Sequence, residues 1–122
     1  MSEHRKEQRR KLIAFTPVYD LKNKTLLGYV YDLTMKGVMV VGEHSVEPNQ
    51  DKTLRIDLPG NLDSVIASSL VIPARVAWCR PDETPGNFNI GFEFKDLSGE
   101  NSEAIQAILN RYQFRPDSTA AL

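Results

Sequence analysis

Apolar and polar residues alternate in several short segments of the chain. Leu54 and Ile56, for example, alternate with Arg55 and Asp57, which is the two-residue period of a strand with one buried face. Clusters of Asp, Asn, Pro and Gly separate these segments, and such residues favour turns. The pattern predicts strands at residues 12–18, 25–31, 38–41, 54–58, 65–78 and 88–94.

Two of the predicted strands have features that help to place them in a sheet. Pro73 lies inside the long segment 65–78, and because proline donates no backbone hydrogen bond, we expect a bulge or an edge position there. In the last strand the residues at 88, 90, 92 and 94 are all Phe or Ile. These four side chains share one face, which we expect to be buried.

The end of the chain has the periodicity of a helix. Five apolar residues recur there at helical spacing, after two candidate N-caps, Ser98 and Asn101. The predicted fold class is all-β with a terminal helix, namely a six-stranded antiparallel β-barrel with a C-terminal α-helix packed against it. The five apolar residues are Ala104, Ile105, Ile108, Leu109 and Tyr112.

The composition is that of one globular domain. The chain has 122 residues, of which 41% are hydrophobic and 25% are charged, and its single cysteine allows no internal disulfide. No apolar run has the length of a membrane span, and the charged N-terminus lacks the apolar centre of a secretory signal. We therefore expect a cytoplasmic protein without membrane insertion.

The net charge of −1 conceals a basic N-terminal segment. Residues 1–11 contain five basic side chains and two acidic ones, so the rest of the chain is mildly acidic. A short basic segment on an acidic body suits a small anion better than a nucleic acid, which binds along an extended basic surface. The sequence thus disfavours a nucleic-acid-binding protein.

Two motifs contain side chains suited to a guanine nucleotide. Arg5 and Arg9 form an R-x-x-x-R motif, and an arginine fork matches the two acceptors on the Hoogsteen edge of guanine or a phosphate. Asp32, Thr34 and Gly37 form D-x-T-x-x-G, whose carboxylate suits the N1–H and N2–H donors of guanine. Each motif alone also has a structural explanation: a solvated terminus for the first and an ordinary turn for the second.

In this order, the two motifs resemble those of the PilZ domain, a family of bacterial receptors for cyclic di-GMP. The family has R-x-x-x-R followed by D/N-x-S-x-x-G, and this chain has threonine at the serine position. Further similarities at residues 17–18, 77–78 and 90–94 extend the resemblance from residue 5 to residue 112. The resemblance implies a PilZ-like split barrel with cyclic di-GMP as its ligand and no metal.

The resemblance also implies a role for each matching residue of the arm. Arg5 and Arg9 would contact guanine and phosphate from a flexible segment, and the adjacent Arg10 would be a third phosphate contact. His4 precedes the first arginine, at a position that is related in the family to the number of ligand molecules bound. Arg5, Arg9 and Arg10 are the predicted ligand contacts of the arm, and His4 is a further candidate.

The same resemblance gives the second motif its roles. Asp32 would bind a guanine edge, Thr34 would form a hydrogen bond through its hydroxyl, and Gly37 would permit a close backbone approach. Threonine retains the hydroxyl of the family's serine and adds a methyl group, which we expect the site to tolerate. Trp78 has two interpretations: it lies in the core or half-core, or its ring borders a base by stacking.

The sequence contains no arrangement typical of an enzyme or a metal site. His4 and His44 lie forty residues apart, with no second Cys or His at ligand spacing. Cys79 is expected to be a small buried apolar residue. We therefore expect neither catalysis nor a bound metal.

The predicted organisation is a single domain over residues 1–116, with an arm (1–11), a barrel (12–97), a helix (98–114) and a tail (117–122). We expect no attached output domain. The arm would then close on cyclic di-GMP and alter the surface offered to an unknown protein partner, in a process such as motility or biofilm formation. One alternative is an adaptor of the same fold whose degenerate site binds no ligand. The other alternative is a barrel that binds single-stranded nucleic acid, and the mildly acidic charge of the chain after the arm disfavours it.

Overall fold

The computed structural model describes residues 11–12, 15–59 and 68–114. These parts of the chain form eight strands and one helix. In chain order they are β1 (Lys11–Leu12), β2 (Pro17–Asp20), β3 (Thr25–Leu33), β4 (Gly37–Gly42), β5 (Asp51–Asp57), β6 (Ser69–Pro81), β7 (Phe88–Phe94), α1 (Gly99–Arg111) and β8 (Tyr112–Gln113).

Six of the strands close into an antiparallel barrel. Their order around the barrel is β2-β3-β4-β7-β6-β5, and β5 pairs back to β2. Every neighbouring pair is antiparallel. Closure removes the sheet edges, where backbone groups would otherwise lack partners. The predicted six-stranded antiparallel barrel with a C-terminal helix is therefore confirmed.

The two shortest strands lie outside the barrel. β1 pairs in parallel with β8, with Lys11 opposite Tyr112 and Leu12 opposite Gln113. The predicted strand 12–18 is thus wrong at its start, because the first barrel strand begins at Pro17. An apolar run does not show which strand it pairs with, and here the partner comes from the far end of the chain. This pairing joins the first described residues to the end of α1.

The barrel core follows the predicted alternation. Leu54 and Ile56 are buried, whereas Arg55 and Asp57 between and after them are half-buried. The apolar face of β7 packs in the same core, with Ile90 fully buried. The two-residue period therefore assigned the inner face of these strands correctly.

Helix α1 begins where the sequence predicts. Its N-cap is Ser98, whose hydroxyl accepts a hydrogen bond from the backbone N–H of Asn101 at 3.0 Å. Asn101, the other candidate N-cap, instead donates its side-chain amide to the Val71 carbonyl of β6 at 3.0 Å. Ile105 and Ile108 are completely buried in the main core cluster. None of the helices in the described ranges is long and apolar enough to cross a membrane.

The bulge expected at Pro73 lies elsewhere in β6. Pro73 pairs regularly with Thr53 of β5, and the register irregularity falls between Val76 and Trp78. The carbonyl of Pro73 accepts from the N–H of Lys95 at 2.8 Å, on the β7 side of the strand. In an antiparallel sheet the backbone N–H and C=O of one residue point toward the same neighbouring strand. The N–H that Pro73 lacks would therefore also point toward β7. The β6–β7 pairing starts only at the next residue, Ala74. Proline therefore costs the β5–β6 ladder nothing.

A buried carboxylate fixes the turn between β2 and β3. Asp20 is 3% exposed, and its carboxylate accepts from the backbone N–H groups of Lys22 and Asn23 and from the Asn23 amide. The ammonium of Lys52 lies 3.1 Å from its Oδ2. Burial by itself raises the pKa of Asp20, but Lys52 and the turn amides outweigh it, so that the pKa lies below its ordinary value. Asp20 thus joins the hairpin to β5 as an anion.

We expect Asp20→Ala to lower the free energy of unfolding by about 3 kcal/mol, because it leaves the partly buried Lys52 and the turn amides without an acceptor. Asp57→Ala is the control: it removes the half-buried, solvent-accessible partner of Arg55 and should cost about 1 kcal/mol or less. Denaturant unfolding measures both. Because the pKa of Asp20 is lower in the folded state, its contribution is complete above the unfolded pKa and is lost as the pH falls through the folded one. Equal losses for the two variants would contradict this role.

Candidate functional site

The turn between β3 and β4 is held by the hydroxyl of Thr34. Its Oγ1 accepts hydrogen bonds from the backbone N–H groups of Lys36 and Gly37 at 3.1 and 3.2 Å, and it lies 3.4 Å from the Gly37 carbonyl as a donor. The backbone N–H of Thr34 donates to the same carbonyl at 2.9 Å. Since a hydroxyl has one donor and two acceptor sites, the turn occupies all of them. Thr34 therefore acts as a positioning residue in this structure.

Gly37 brings β4 close to β7. A Cβ atom built on Gly37 would overlap the carbonyl oxygen of Phe92, so any side chain there would force the two strands apart. The carbonyl of Lys36, in the same turn, accepts from the N–H of Phe94 at 2.9 Å. The close approach expected of Gly37 is therefore made by a neighbouring strand, and it ties the turn to β7.

Asp32 lies on the outer face of the barrel because of a bulge in β3. The β3–β4 register shifts between Val30 and Asp32, so Tyr31 and Asp32 are both exposed while Val30 and Leu33 are buried. The Oδ1 atom of Asp32 accepts from the N–H of Leu33 at 3.0 Å. A carboxylate has about four acceptor positions, so this bond leaves capacity for a ligand with two N–H donors.

Trp78 also faces outward because of a bulge. By alternation from Val76 it would point into the core, but the register shift between these residues places the half-buried indole outside. There the ring lies on Gly91 of β7, where a Cβ atom would overlap the indole. The guanidinium of Arg80 stacks above the ring, with its Cζ 4.8 Å from the ring centroid. Trp78 is therefore half-buried on the outer face of the barrel, and its contact with a base stays a prediction.

One row of the outer face connects these residues across four strands. Asp32 pairs with Met39, Met39 with Gly91, and Gly91 with Trp78. Directly paired residues project from the same face of a sheet. Neighbouring strands lie about 4.8 Å apart, so the row spans about 14 Å. A carboxylate thus stands at one end of an apolar shelf, and an aromatic ring covered by a cation stands at the other.

Arg80 was not among the predicted site residues. The signal that could have found it is its position two residues after Trp78 in the same strand, since residues i and i+2 share a face. The structure brings the turn motif and Trp78 to one surface. The predicted arm contacts His4, Arg5, Arg9 and Arg10 lie outside the described residues, and the described chain starts beside them with β1.

We expect Thr34→Val to weaken ligand binding indirectly, by loosening the turn that presents Asp32. The loss of the two accepted hydrogen bonds should cost about 1 kcal/mol, seen as faster hydrogen exchange at the amides of Lys36 and Gly37. Thr34→Ser retains the hydroxyl and should restore both exchange protection and affinity. Weaker binding in Thr34→Val with unchanged amide protection would instead indicate direct contact between the hydroxyl and the ligand.

Metal ligation finds no support in the described parts of the chain, which hold no group of three or more His, Cys, Asp or Glu side chains placed to bind an ion. The chemical features of the site are those of a binding surface: hydrogen-bond acceptors, an exposed ring and a guanidinium. Such groups recognise planar bases and anions.

Comparisons with known proteins agree with this architecture. A solved structure of the Bacillus subtilis inhibitor of motility, MotI/DgrA, superimposes on 84% of this chain with a TM-score of 0.62 and 18% sequence identity. The match covers 50% of that protein, so this chain spans about half of its length, and likeness at this identity shows the fold. No curated protein sequence matches the chain. The family model described as the PilZ domain matches residues 3–111, and since this is most of the sequence, the chain belongs to the PilZ domain family.

Proposed function

We propose that this protein is a cytoplasmic receptor for cyclic di-GMP. The observation that carries the proposal is the outer-face row from Asp32 to Trp78, with Arg80 stacked on the ring. Cyclic di-GMP offers two guanine bases and two phosphates, and members of the PilZ family bind it. The exposed Asp32 carboxylate suits the N1–H and N2–H donors of one base, and the indole of Trp78 provides a surface for stacking.

The arm would supply the remaining interactions. Arg5 and Arg9 would bind a guanine Hoogsteen edge and phosphate, with Arg10 as a further phosphate contact, because guanidinium forks bind these groups bidentately. His4 would lie beside them. Since β1 pairs with β8 directly after α1, closure of the arm on the ligand would act on the chain next to the helix. This gives a physical route from ligand binding to a changed surface for a partner protein.

The alternative function is an adaptor of the same fold that binds a protein partner without the ligand. The basis of this alternative is threonine at position 34, where the family has serine. The turn geometry weakens the case for a degenerate site, because the Thr34 hydroxyl makes the backbone contacts that hold the turn. In either function the protein is a binding domain and no catalytic step is invoked. MotI/DgrA, whose fold it shares, is an inhibitor of motility, so we propose motility as the first process to test.

Calorimetric titration with cyclic di-GMP and cyclic di-AMP tests the proposed ligand. Cyclic di-GMP should bind, and cyclic di-AMP should bind at least about 10-fold more weakly, because adenine presents a donor and an acceptor where guanine presents the reverse. Arg5→Ala and Arg9→Ala should each weaken binding about 10-fold or more, as expected for the loss of charged hydrogen bonds. Lys6→Ala removes an arm charge at a variable position between the two motif arginines and is the control.

Thermal melts of the same variants distinguish ligand contact from structural damage. All three arm variants should have the melting temperature of the parent, because we propose that Arg5 and Arg9 contact the ligand and that none of the three side chains contacts the barrel. Binding should weaken moderately with added salt, reflecting two phosphates. Absence of cyclic di-GMP binding in a folded protein would reject the receptor and favour the adaptor. Equal affinity for the two dinucleotides would reject the assignment of Asp32 to a guanine edge.

A further inference from the structure

A groove on the outer side of β3 lies next to the proposed ligand row without forming part of it. Its volume is about 1030 Å³, which is the size of a site for a small molecule or a few residues of peptide. Tyr29 and Val41 pair across β3 and β4 in the groove. On the same two strands they lie beside the Asp32–Met39 pair, with Tyr29 before Asp32 and Val41 after Met39. The apolar and aromatic side chains that line it are Phe15, Leu26, Leu27, Tyr29, Val30, Tyr31, Val41 and Phe114.

The groove presents aromatic side chains to solvent. Phe15 is 84% exposed, and Leu26, Tyr29 and Tyr31 are each at least 40% exposed. The ring of Phe15 meets Tyr29 edge to face, with centroids 6.4 Å apart. Phe15 also has a φ of 57°, a left-handed conformation that is unfavourable for a bulky residue. An aromatic ring held in a strained conformation and largely in water is a candidate anchor for a partner.

The charge on the groove has one sign. Among the residues described as lining it, the side chains charged at neutral pH are the carboxylates of Glu43 and Asp82. The backbone N–H of Thr84 donates to Asp82 at 3.1 Å and is the main cause of a lowered pKa for that carboxyl group. Asp82 is therefore an anion at neutral pH. An apolar floor with an acidic rim complements a segment that carries both apolar and basic side chains.

The area of the groove favours a short segment over a second copy of this chain. The four exposed apolar side chains offer roughly 400 Å² at these exposures. A stable dimer requires about 800 Å² from each partner. Two copies meeting through this face would also bring four carboxylates together without a compensating cation from the groove. The small apolar area and the repulsion between carboxylates both favour a partner protein over a second copy of this chain.

We propose that this groove docks a short partner segment in which an apolar or aromatic side chain adjoins a lysine or arginine. The apolar side chain would pack on Phe15 and Tyr29, and the cation would meet Glu43 or Asp82. This segment would belong to the protein partner of the proposed receptor. Only the regulation of docking by cyclic di-GMP rests on the proposed function. Regulation has a structural basis, because β1 pairs with β8. Phe114 directly follows β8, and Phe15 lies three residues after the end of β1.

Nuclear magnetic resonance titration of the full chain with capped tetrapeptides tests the proposal. The probe has the sequence KLFK, and the controls are ELFE, with reversed charge, and KGSK, without apolar side chains. KLFK should shift the amide signals of Leu26, Tyr29, Val41 and Glu43 at millimolar concentration. The two controls should cause shifts at least about 5-fold smaller at the same concentration. Absence of shifts with KLFK, or equal shifts with ELFE, would overturn the proposal.

Substitutions then locate the contact. Phe15→Asn removes the ring while retaining a residue that tolerates the left-handed conformation, and it should weaken KLFK binding at least 5-fold. Val71→Ser removes an apolar side chain that is 45% exposed outside the groove, and it should change nothing. Groove signals that depend on protein concentration without peptide would identify a second copy as the occupant and overturn the partner assignment.

The same samples separate this inference from the proposed function. Phe15→Asn should retain the affinity of the parent for cyclic di-GMP. A protein that binds cyclic di-GMP and shows no peptide shifts would retain the receptor function and lose the docking groove. Peptide binding in a protein that ignores cyclic di-GMP would retain the groove and reject the receptor function.

Discussion

Asp32→Asn is expected to weaken the binding of cyclic di-GMP by about 10- to 100-fold. The carboxylate offers acceptors to the N1–H and N2–H donors of guanine, and the amide replaces one acceptor with a donor that faces a donor. A hydrogen bond to a charged group contributes about 1.5–3 kcal/mol, which corresponds to this loss in affinity. Calorimetric titration measures the change. The difference in affinity between cyclic di-GMP and cyclic di-AMP should also become smaller.

The control for this variant is Asp57→Asn. Asp57 lies on β5, away from the row, and its half-buried, solvent-accessible carboxylate pairs with Arg55 at 3.0 Å. Both variants should unfold at nearly the same temperature as the parent, because exposed polar substitutions rarely change stability much. Parent-like affinity in Asp32→Asn, with the fold intact, would show that the carboxylate does not contact the base.

Gly91→Val is expected to displace the indole of Trp78 and to weaken cyclic di-GMP binding by about 10-fold or more. A Cβ atom on Gly91 would overlap the indole ring, so the ring must move away from its position over Gly91. Stacking of a base on an aromatic side chain contributes about 1–3 kcal/mol. Because the chain has one tryptophan, its fluorescence reports the displacement directly. The emission should shift to longer wavelength in the variant without ligand.

Gly99→Ala is the matched control, because a Cβ atom at the start of α1 meets no atom within 4 Å. It should change neither fluorescence nor affinity. Trp78→Phe provides the complementary test: a smaller ring retains part of the stacking surface, so its affinity should fall less than that of Gly91→Val. Full affinity in Gly91→Val despite a shifted emission would show that the ligand does not use the indole.

Several features of this protein follow from its sequence alone. The alternation in residues 54–58 and 88–94 identified inner faces, because a half-buried strand must bury every second side chain. Ser98 was recognisable as an N-cap, because capping depends on local residue types. The D-x-T-x-x-G motif was recognisable for the same reason: Thr34 bonds backbone groups within three residues of itself. Interactions between residues that are close in the chain can be predicted from the local sequence.

The tertiary structure decided which side chains meet. The bulges in β3 and β6 turn Asp32 and Trp78 outward, and a pattern with apolar residues in both phases does not show where the alternation shifts. Apolar residues surround both positions: Val30 and Tyr31 precede Asp32, and Cys79 follows Trp78. The register across four strands then placed the two side chains in one row. Register depends on pairing between segments distant in the chain, and this is the physical reason that it could not be predicted from local pattern.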